Sequence, residues 1–182
     1  MSRHLLGAIA VWHTLALSHG LDAGQTGQAE AIAETPAEAR AIAMLARRGG
    51  RYSRDISRPG KPINGLLLTG YVPNEDLKQL SGLREVETLN LSGMQFDRDG
   101  LGFLVSFPRL KTLVLAGATI NAGEIITLVK AVPETLTTLN LSGTKVSDAD
   151  VFFLSPLKHL DALNLANTEF KEAGMKHIAR FE

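Results

Sequence analysis

The sequence predicts an α/β solenoid of about five stacked repeats. The main observation is a short phrase, two leucines separated by one residue and followed by small residues, that recurs with steps of 23, 24, 26 and 24 residues. A nearly constant step of this size is typical of stacked repeats, because one unit cannot bury its own apolar face. The leucine pairs are Leu66/Leu68, Leu89/Leu91, Leu113/Leu115, Leu139/Leu141 and Leu163/Leu165.

Each repeat is expected to contain one strand and one short helix. Side chains alternate along a strand, so the paired leucines point into the solenoid and their neighbours point outward from a parallel sheet on the concave face. The chain then turns inward again at Val72, Phe96, Ile120, Val146 and Phe170. Apolar pairs with helical spacing form the convex wall at Leu77/Leu80, Leu101/Leu104, Ile125/Leu128, Val151/Leu154 and Met175/Ile178.

The first 20 residues have the pattern of a secretory signal. Arg3 and His4 precede an apolar run at residues 5–17, and small residues follow at Ser18 and Gly20. The run is shorter than the roughly 20 residues that cross a bilayer, so no integral membrane segment is expected after cleavage. This pattern favours an exported protein, periplasmic or extracellular. A signal-anchored or cytoplasmic protein, with an uncleaved anchor or an ordinary N-terminal helix, is the alternative.

A capping helix is expected before the repeats. Thr35 can cap it, Pro36 suits its first position, and Glu38 would complete a capping box. The helix should end at Gly49 and Gly50. Its apolar face, predicted to cover the first repeat, consists of Ile42, Leu45 and Ala46. The chain thus divides into a signal peptide (1–20), a flexible linker (21–34), a capping helix with a basic loop (35–62) and the solenoid (63–182).

The basic loop combines six basic residues with the single acid Asp55. A solvated, flexible loop is the favoured interpretation, and a grip on phosphates or anionic lipid is the alternative. The formal net charge of the chain is zero, and Tyr52 is the one aromatic residue within the run, which argues against nucleic acid as a partner. The basic residues are Arg47, Arg48, Arg51, Arg54, Arg58 and Lys61.

The sequence contains no recognisable catalytic motif. It has no cysteine, which excludes disulfides, thiolate metal sites and cysteine nucleophiles. The acid pairs Asp97/Asp99 and Asp148/Asp150 recur where a short helix begins, so a helix-start role is favoured over calcium binding, which needs more oxygen ligands. We therefore expect no enzymatic activity, no cofactor and no bound metal.

The strings LNLSGTKVSDADVFFLSPLKHL and LNLANTEFKEAGMKHIARF resemble the leucine-rich repeats of planctomycete bacteria. The preceding ARRGGRYSRDISRPGKPINGLLLTG is similar to the N-terminal flank of that group, and the resemblance covers residues 38–182. It implies the repeat scaffold. The sequence departs from the consensus at Met94 and Ala118, so a side-chain hydrogen-bond ladder there cannot be continuous. The longer third repeat, with its insertion at residues 133–136, is similar to repeats of ribonuclease-inhibitor type.

Two surfaces are candidates for binding. The concave one is small and uncharged, and its candidate residues are Thr88, Asn90, Thr112, Val114, Thr138, Asn140 and Asn164. A neutral sheet surface without a ligand is the alternative. The convex one is a predicted apolar stripe, whose alternative is the filling of gaps between helices, and its residues are Phe103, Ile126, Phe152 and Phe153.

These observations predict a non-catalytic, protein-binding scaffold of the cell envelope or exterior, with a protein partner of unknown identity. The alternative is a structural, self-assembling envelope protein that uses the convex stripe or a free strand edge around Leu163 and Leu165. Free strand edges pair with other chains, so weak homo-oligomerisation through this end is expected.

Overall fold

A computed structural model describes residues 35–120, 123–171 and 174 of the 182-residue chain. The predicted signal peptide and linker lie outside the described residues, as do Met175 and Ile178 of the predicted last helix. The described part contains a six-stranded sheet whose strands follow one another in chain order. The strands are β1 (Arg51–Arg54), β2 (Ile63–Leu67), β3 (Thr88–Asn90), β4 (Thr112–Val114), β5 (Thr138–Asn140) and β6 (Ala162–Asn164).

Strands β2 to β6 are parallel and in register. Leu89 pairs with Leu66 on one side and with Leu113 on the other, and Leu139 continues the row to Leu163. The row continues across the longer third repeat without a shift, because the additional residues lie between the strands. The structure is therefore the predicted α/β solenoid, with parallel strands on the concave face and helices on the convex face.

The helices vary more than the strands. The α-helices are α1 (Pro36–Arg47), α2 (Asn74–Leu77), α3 (Glu124–Ala131) and α4 (Asp148–Phe153), and 3-10 helices occupy Lys78–Gly82 and Gly100–Ser106. The longer third repeat contains α3, which has eight residues, whereas the second repeat has a 3-10 helix in the same place. The four predicted convex pairs within the described residues are all buried, as are the paired leucines of the first four repeats.

The capping helix begins and ends as predicted, but its buried face differs, and the Glu38 side chain pairs with Arg54 instead of completing a capping box. Thr35 Oγ1 accepts a hydrogen bond from the Glu38 backbone N–H at 3.1 Å, and Gly49 adopts a left-handed φ of 67° after the last turn. The buried residues are Ala41, Met44 and Leu45, whereas the predicted Ala46 is exposed and Ile42 is half-buried. An alanine-rich helix has two adjacent apolar faces, either of which could pack against the first repeat. The face that carries the larger Met44 is the one that is buried.

The expectation of a loop throughout the basic segment is wrong at Arg51–Arg54. These residues form β1, which pairs antiparallel with β2. The pairing satisfies the backbone of the first repeat strand, which otherwise would be a free edge. A side chain at Gly65 would clash with Ser53 of β1, so glycine at this position allows the two strands to approach closely.

The side-chain ladder after the strands is discontinuous, as predicted. The hydroxyl groups of Thr144 and Thr168 donate to the carbonyl groups of Leu141 and Leu165, at 2.6 and 2.7 Å. The equivalent residues of the earlier repeats, Met94 and Ala118, are buried apolar side chains. Packing thus replaces the hydrogen bond in the middle of the solenoid.

Candidate binding surface

The outward positions of the strands form one continuous polar surface. The threonines Thr88, Thr112 and Thr138 are register partners, so they lie side by side across the sheet. Thr88 is exposed, and Thr112 and Thr138 are half-buried. Because all predicted concave candidates belong to adjacent register rows, the structure brings them together as expected. Their binding role stays a prediction.

Three asparagines occupy the central row of this surface, and each makes the same local hydrogen bond. The Oδ1 atoms of Asn90, Asn140 and Asn164 accept from the backbone N–H two residues later, at 3.0, 2.9 and 2.9 Å. This turn supports the end of each strand. Val114 is the apolar member of the row. Asn140 is 7% exposed, so it offers less surface than the sequence suggested.

The convex candidates do not form one exposed stripe. Phe103 is only 9% exposed and packs edge-on against Phe107, with 5.8 Å between ring centroids. Ile126 is half-buried. Phe152 and Phe153 remain 44% and 41% exposed and contact each other edge-to-face. Among these candidates the exposed residues thus lie on α4, because in the second repeat Phe103 fills the gap between helices. Val105 of that repeat is 71% exposed but was not a candidate.

Most of the charge of the basic segment is paired within the protein. Arg58 binds Glu85, and this hydrogen-bonded ion pair raises the pKa of the arginine. The guanidinium of Arg54 also lies 5.6 Å from the centre of the Tyr52 ring. The other pairs are Arg47–Asp76, Arg48–Asp76 and Arg54–Glu38. Within the described residues, Arg51 and Lys61 are the members of the basic run without an ion pair, so little charge is left for an anionic polymer.

Three of the four acids singled out by the sequence support the fold. The Asp150 carboxylate accepts from both the backbone N–H and the hydroxyl of Ser147 at the start of α4. Asp148 Oδ1 accepts from the Lys171 backbone N–H in the next repeat, at 2.7 Å. These contacts bear out the helix-start interpretation for α4. In the part of the chain that the structure describes, no three metal-binding side chains come together.

Asp97 instead joins two repeats through a tyrosine. The Tyr71 hydroxyl lies 3.1 and 3.2 Å from the two Asp97 carboxylate oxygens, and this contact raises the pKa of Tyr71 above its usual value of 10. Asp99 is exposed at a left-handed φ of 61°. Tyr71 was not singled out from the sequence, although its position one repeat before Gln95 could have indicated an outward side chain.

A shallow cavity that the sequence did not indicate lies where β4 and β5 end. Its volume is about 520 Å³, and it is open to solvent. The polar residues in its lining come from three successive repeats, which only stacking brings together. They are Thr119, Thr144, Lys145, Ser147, Asp150 and Glu169. Gly117 and Gly143 also line it and, having no side chains, keep it open.

The last strand is less well covered than the strands before it. Leu139 and Leu141 of β5 and its continuation are fully buried, whereas the equivalent Leu163 and Leu165 are only partly buried. Among the described strands, β6 pairs with β5 alone. The pairing of this strand with another chain, expected from the sequence, stays a prediction.

No protein-family model matches the chain, and no curated protein matches it. Solved structures do. A chain of the Drosophila melanogaster SNF/U2A' complex is 25% identical, with 76% of each chain covered and a TM-score of 0.51. The C-terminal domain of Caenorhabditis elegans tropomodulin is 12% identical over 81% of this chain and 91% of its own, with a TM-score of 0.50. The leucine-rich-repeat ectodomain of the Arabidopsis thaliana receptor kinase SOBIR1 is 20% identical over 75% and 82%, with a TM-score of 0.48.

The fold is that of a leucine-rich-repeat protein. The in-register leucine rows and the parallel sheet, with one strand per repeat, define this class. None of the helices within residues 35–120 and 123–171 is long and apolar enough to cross a membrane.

Proposed function

We propose that this protein is a non-catalytic scaffold that binds a protein partner on its concave face. The observation that carries the proposal is the uncharged, in-register surface that Thr88, Thr112 and Thr138 form with the neighbouring asparagines. Such a surface has no nucleophile or general base positioned for chemistry. The similar chain in the SNF/U2A' complex belongs to an assembly, which supports a binding role for this scaffold. The pairing of the basic cap with internal acids argues further against nucleic acid.

A capture experiment with matched surface variants tests this proposal. The bait is the chain from residue 21 onward, incubated with an extract of the organism that encodes it. Thr88→Arg/Thr112→Glu places charge on the concave face, and Phe153→Asp is the convex control. A protein that is captured by wild type and the control, but not by the concave variant, is the expected result. Capture lost only with Phe153→Asp would move the site to α4.

Export to the cell envelope or exterior belongs to the same proposal. It is supported by the order of Arg3, the apolar run at residues 5–17 and the small residues near Gly20. The planctomycete type of repeat also stays a prediction from the sequence, and the similar solved structures do not support it.

Fusion of residues 1–34 to a reporter enzyme that is active only outside the cytoplasm tests export. We expect activity with the native segment and none with Val11→Arg, because a charge in the middle of the apolar run destroys the pattern of a signal. Equal activity of the two fusions, or no activity with either, would contradict export through this segment.

Self-assembly is the second candidate, and the partial burial of Leu163 and Leu165 favours it. An edge strand with partly covered leucines pairs readily with another chain. Sedimentation equilibrium between about 1 and 300 µM distinguishes this candidate from the first. A mass that rises with concentration and falls back in Leu163→Lys supports assembly, whereas a constant monomer mass contradicts it.

A further inference from the structure

We infer that the concave face recognises an extended partner segment rich in carboxylates, through a row of asparagine amide donors. This inference rests on the proposed function and names the chemistry of the partner. It concerns Asn90, Asn140 and Asn164, the three asparagines of the central row.

The local hydrogen bonds determine which end of each asparagine faces the partner. A backbone N–H can only donate, so the side-chain atom that it meets must be Oδ1. Because Oδ1 of Asn90, Asn140 and Asn164 is turned toward its own backbone in this way, the amide Nδ2 is turned away from the turn and can donate to a ligand. Within the described residues, no hydrogen bond engages these three Nδ2 atoms. The row therefore presents donors.

The spacing of these donors suits an extended chain that crosses the strands. Asn140 and Asn164 are register partners on neighbouring strands, and Asn90 lies two strands from Asn140 with Val114 between them. Neighbouring strands are about 4.8 Å apart, so the donors are separated by about 5 and 10 Å. Side chains on one side of an extended segment repeat every ~7 Å, which lies between these two donor separations. The flexible side chains of Asp and Glu can extend or tilt to make up the remaining few ångströms.

The charge of the face favours carboxylates over other acceptors. No aspartate or glutamate occupies an outward position of β3 to β6. Arg51 opposes Leu67 across the antiparallel pair, so it projects on the same side of the sheet, where it is exposed and has no ion pair among the described residues. Carboxylates are the strongest acceptors for such donors.

An exchange of asparagine for aspartate tests the inference with little change of shape. Aspartate keeps an oxygen for the backbone N–H but replaces the outward donor by an acceptor. The test variant is Asn90→Asp/Asn140→Asp/Asn164→Asp. Since Asn140 is nearly buried, the double variant Asn90→Asp/Asn164→Asp serves if the triple one does not fold. The control is Thr112→Trp, which obstructs the same face with an uncharged side chain without altering the asparagines.

The probe is a random dodecapeptide library displayed on phage and selected on the full chain. We expect enriched peptides with Asp or Glu at alternate positions. Their Kd, measured by fluorescence anisotropy, should rise at least about tenfold both in the aspartate variant and in Thr112→Trp.

The two variants separate failure of the inference from failure of the proposed function. Binding that survives in the aspartate variant and is lost in Thr112→Trp overturns the donor row but leaves the concave site intact. Binding that survives in both overturns the concave site as well. Enrichment of basic peptides, or of none, also contradicts the inference.

Discussion

Truncation of matched leucines in an inner and a terminal strand should have unequal effects on stability. Leu113 in β4 is fully buried and has strands on both sides, whereas Leu163 in β6 is only partly buried. Each substitution by alanine removes the same atoms. A difference between the two variants therefore reports how completely the surrounding repeats close over the side chain.

The burial of the two leucines sets the expected magnitudes. Leu113→Ala removes about 2.4 kcal/mol of transfer free energy, at ~0.8 kcal/mol per methylene equivalent, and leaves a closed cavity that raises the total to about 3–5 kcal/mol. Leu163→Ala loses about two thirds or more of the transfer term but leaves an open site without a closed cavity, which amounts to about 2 kcal/mol. The unfolding midpoints should fall by about 10 °C and about 5 °C respectively.

Urea denaturation followed by circular dichroism measures both free energies of unfolding. Thr88→Ala, at an exposed position of the same sheet, is the control and should stay within about 0.5 kcal/mol of wild type. Equal losses for Leu113→Ala and Leu163→Ala would refute the reasoning, because the terminal repeat would then be as well covered as the inner ones.

Three further predictions concern the turns, the cap and the pH dependence. Gly117 has a left-handed φ of 65°, so Gly117→Ala should lower the free energy of unfolding by about 1 kcal/mol. Gly117→Asn should lower it by less, since Asn167 adopts the same conformation in the last repeat. Equal losses of the two variants in urea melts would contradict this prediction. Arg54→Met should lower the free energy of unfolding by about 2 kcal/mol with little salt dependence, because the side chains of Arg54 and Glu38 are only 14% and 17% exposed. A loss of stability that disappears in about 1 M NaCl would show that the ion pair behaves as a surface pair instead. The pKa of Tyr71 is raised in the folded state, so the hydroxyl's contribution to stability is complete below pH ~10 and is lost as the pH rises through the folded-state pKa. Tyr71→Phe should therefore remove this loss of stability at alkaline pH in thermal melts. An unchanged pH profile of the variant would contradict the prediction.

Periodicity alone was sufficient to predict the five parallel strands and the core beneath them. The leucine steps placed five strands, and the structure confirms their parallel order and the buried convex pairs of the described repeats. This succeeds because a repeat is a local pattern, in which strand alternation and helical spacing dictate which side chains point inward. The capping helix was likewise predicted to begin at Thr35, since capping depends on neighbours in the chain.

The sequence-based predictions failed or stayed open where the structure depends on contacts between residues that are distant in the chain. The basic segment contains β1 because the first repeat strand needs a partner, and its arginines find acids such as Glu38 and Glu85 that are remote in sequence. For Phe103 the sequence left open whether the side chain is exposed on the convex surface or fills a gap between helices, and the structure places it in a gap beside Phe107. Neither result follows from spacing, because both depend on how closely successive repeats stack.

The concave surface was likewise predicted in part from the sequence, and in part it could be described only from the tertiary structure. By itself the sequence determined the class of scaffold and the residues of the concave row, since both follow from the period of the chain. Only the tertiary structure decided that Oδ1 of Asn90 and Asn140 supports a turn and that Nδ2 is left for a partner. The orientation of an amide is set by the atoms that surround it in space, and the order of residues does not contain that information.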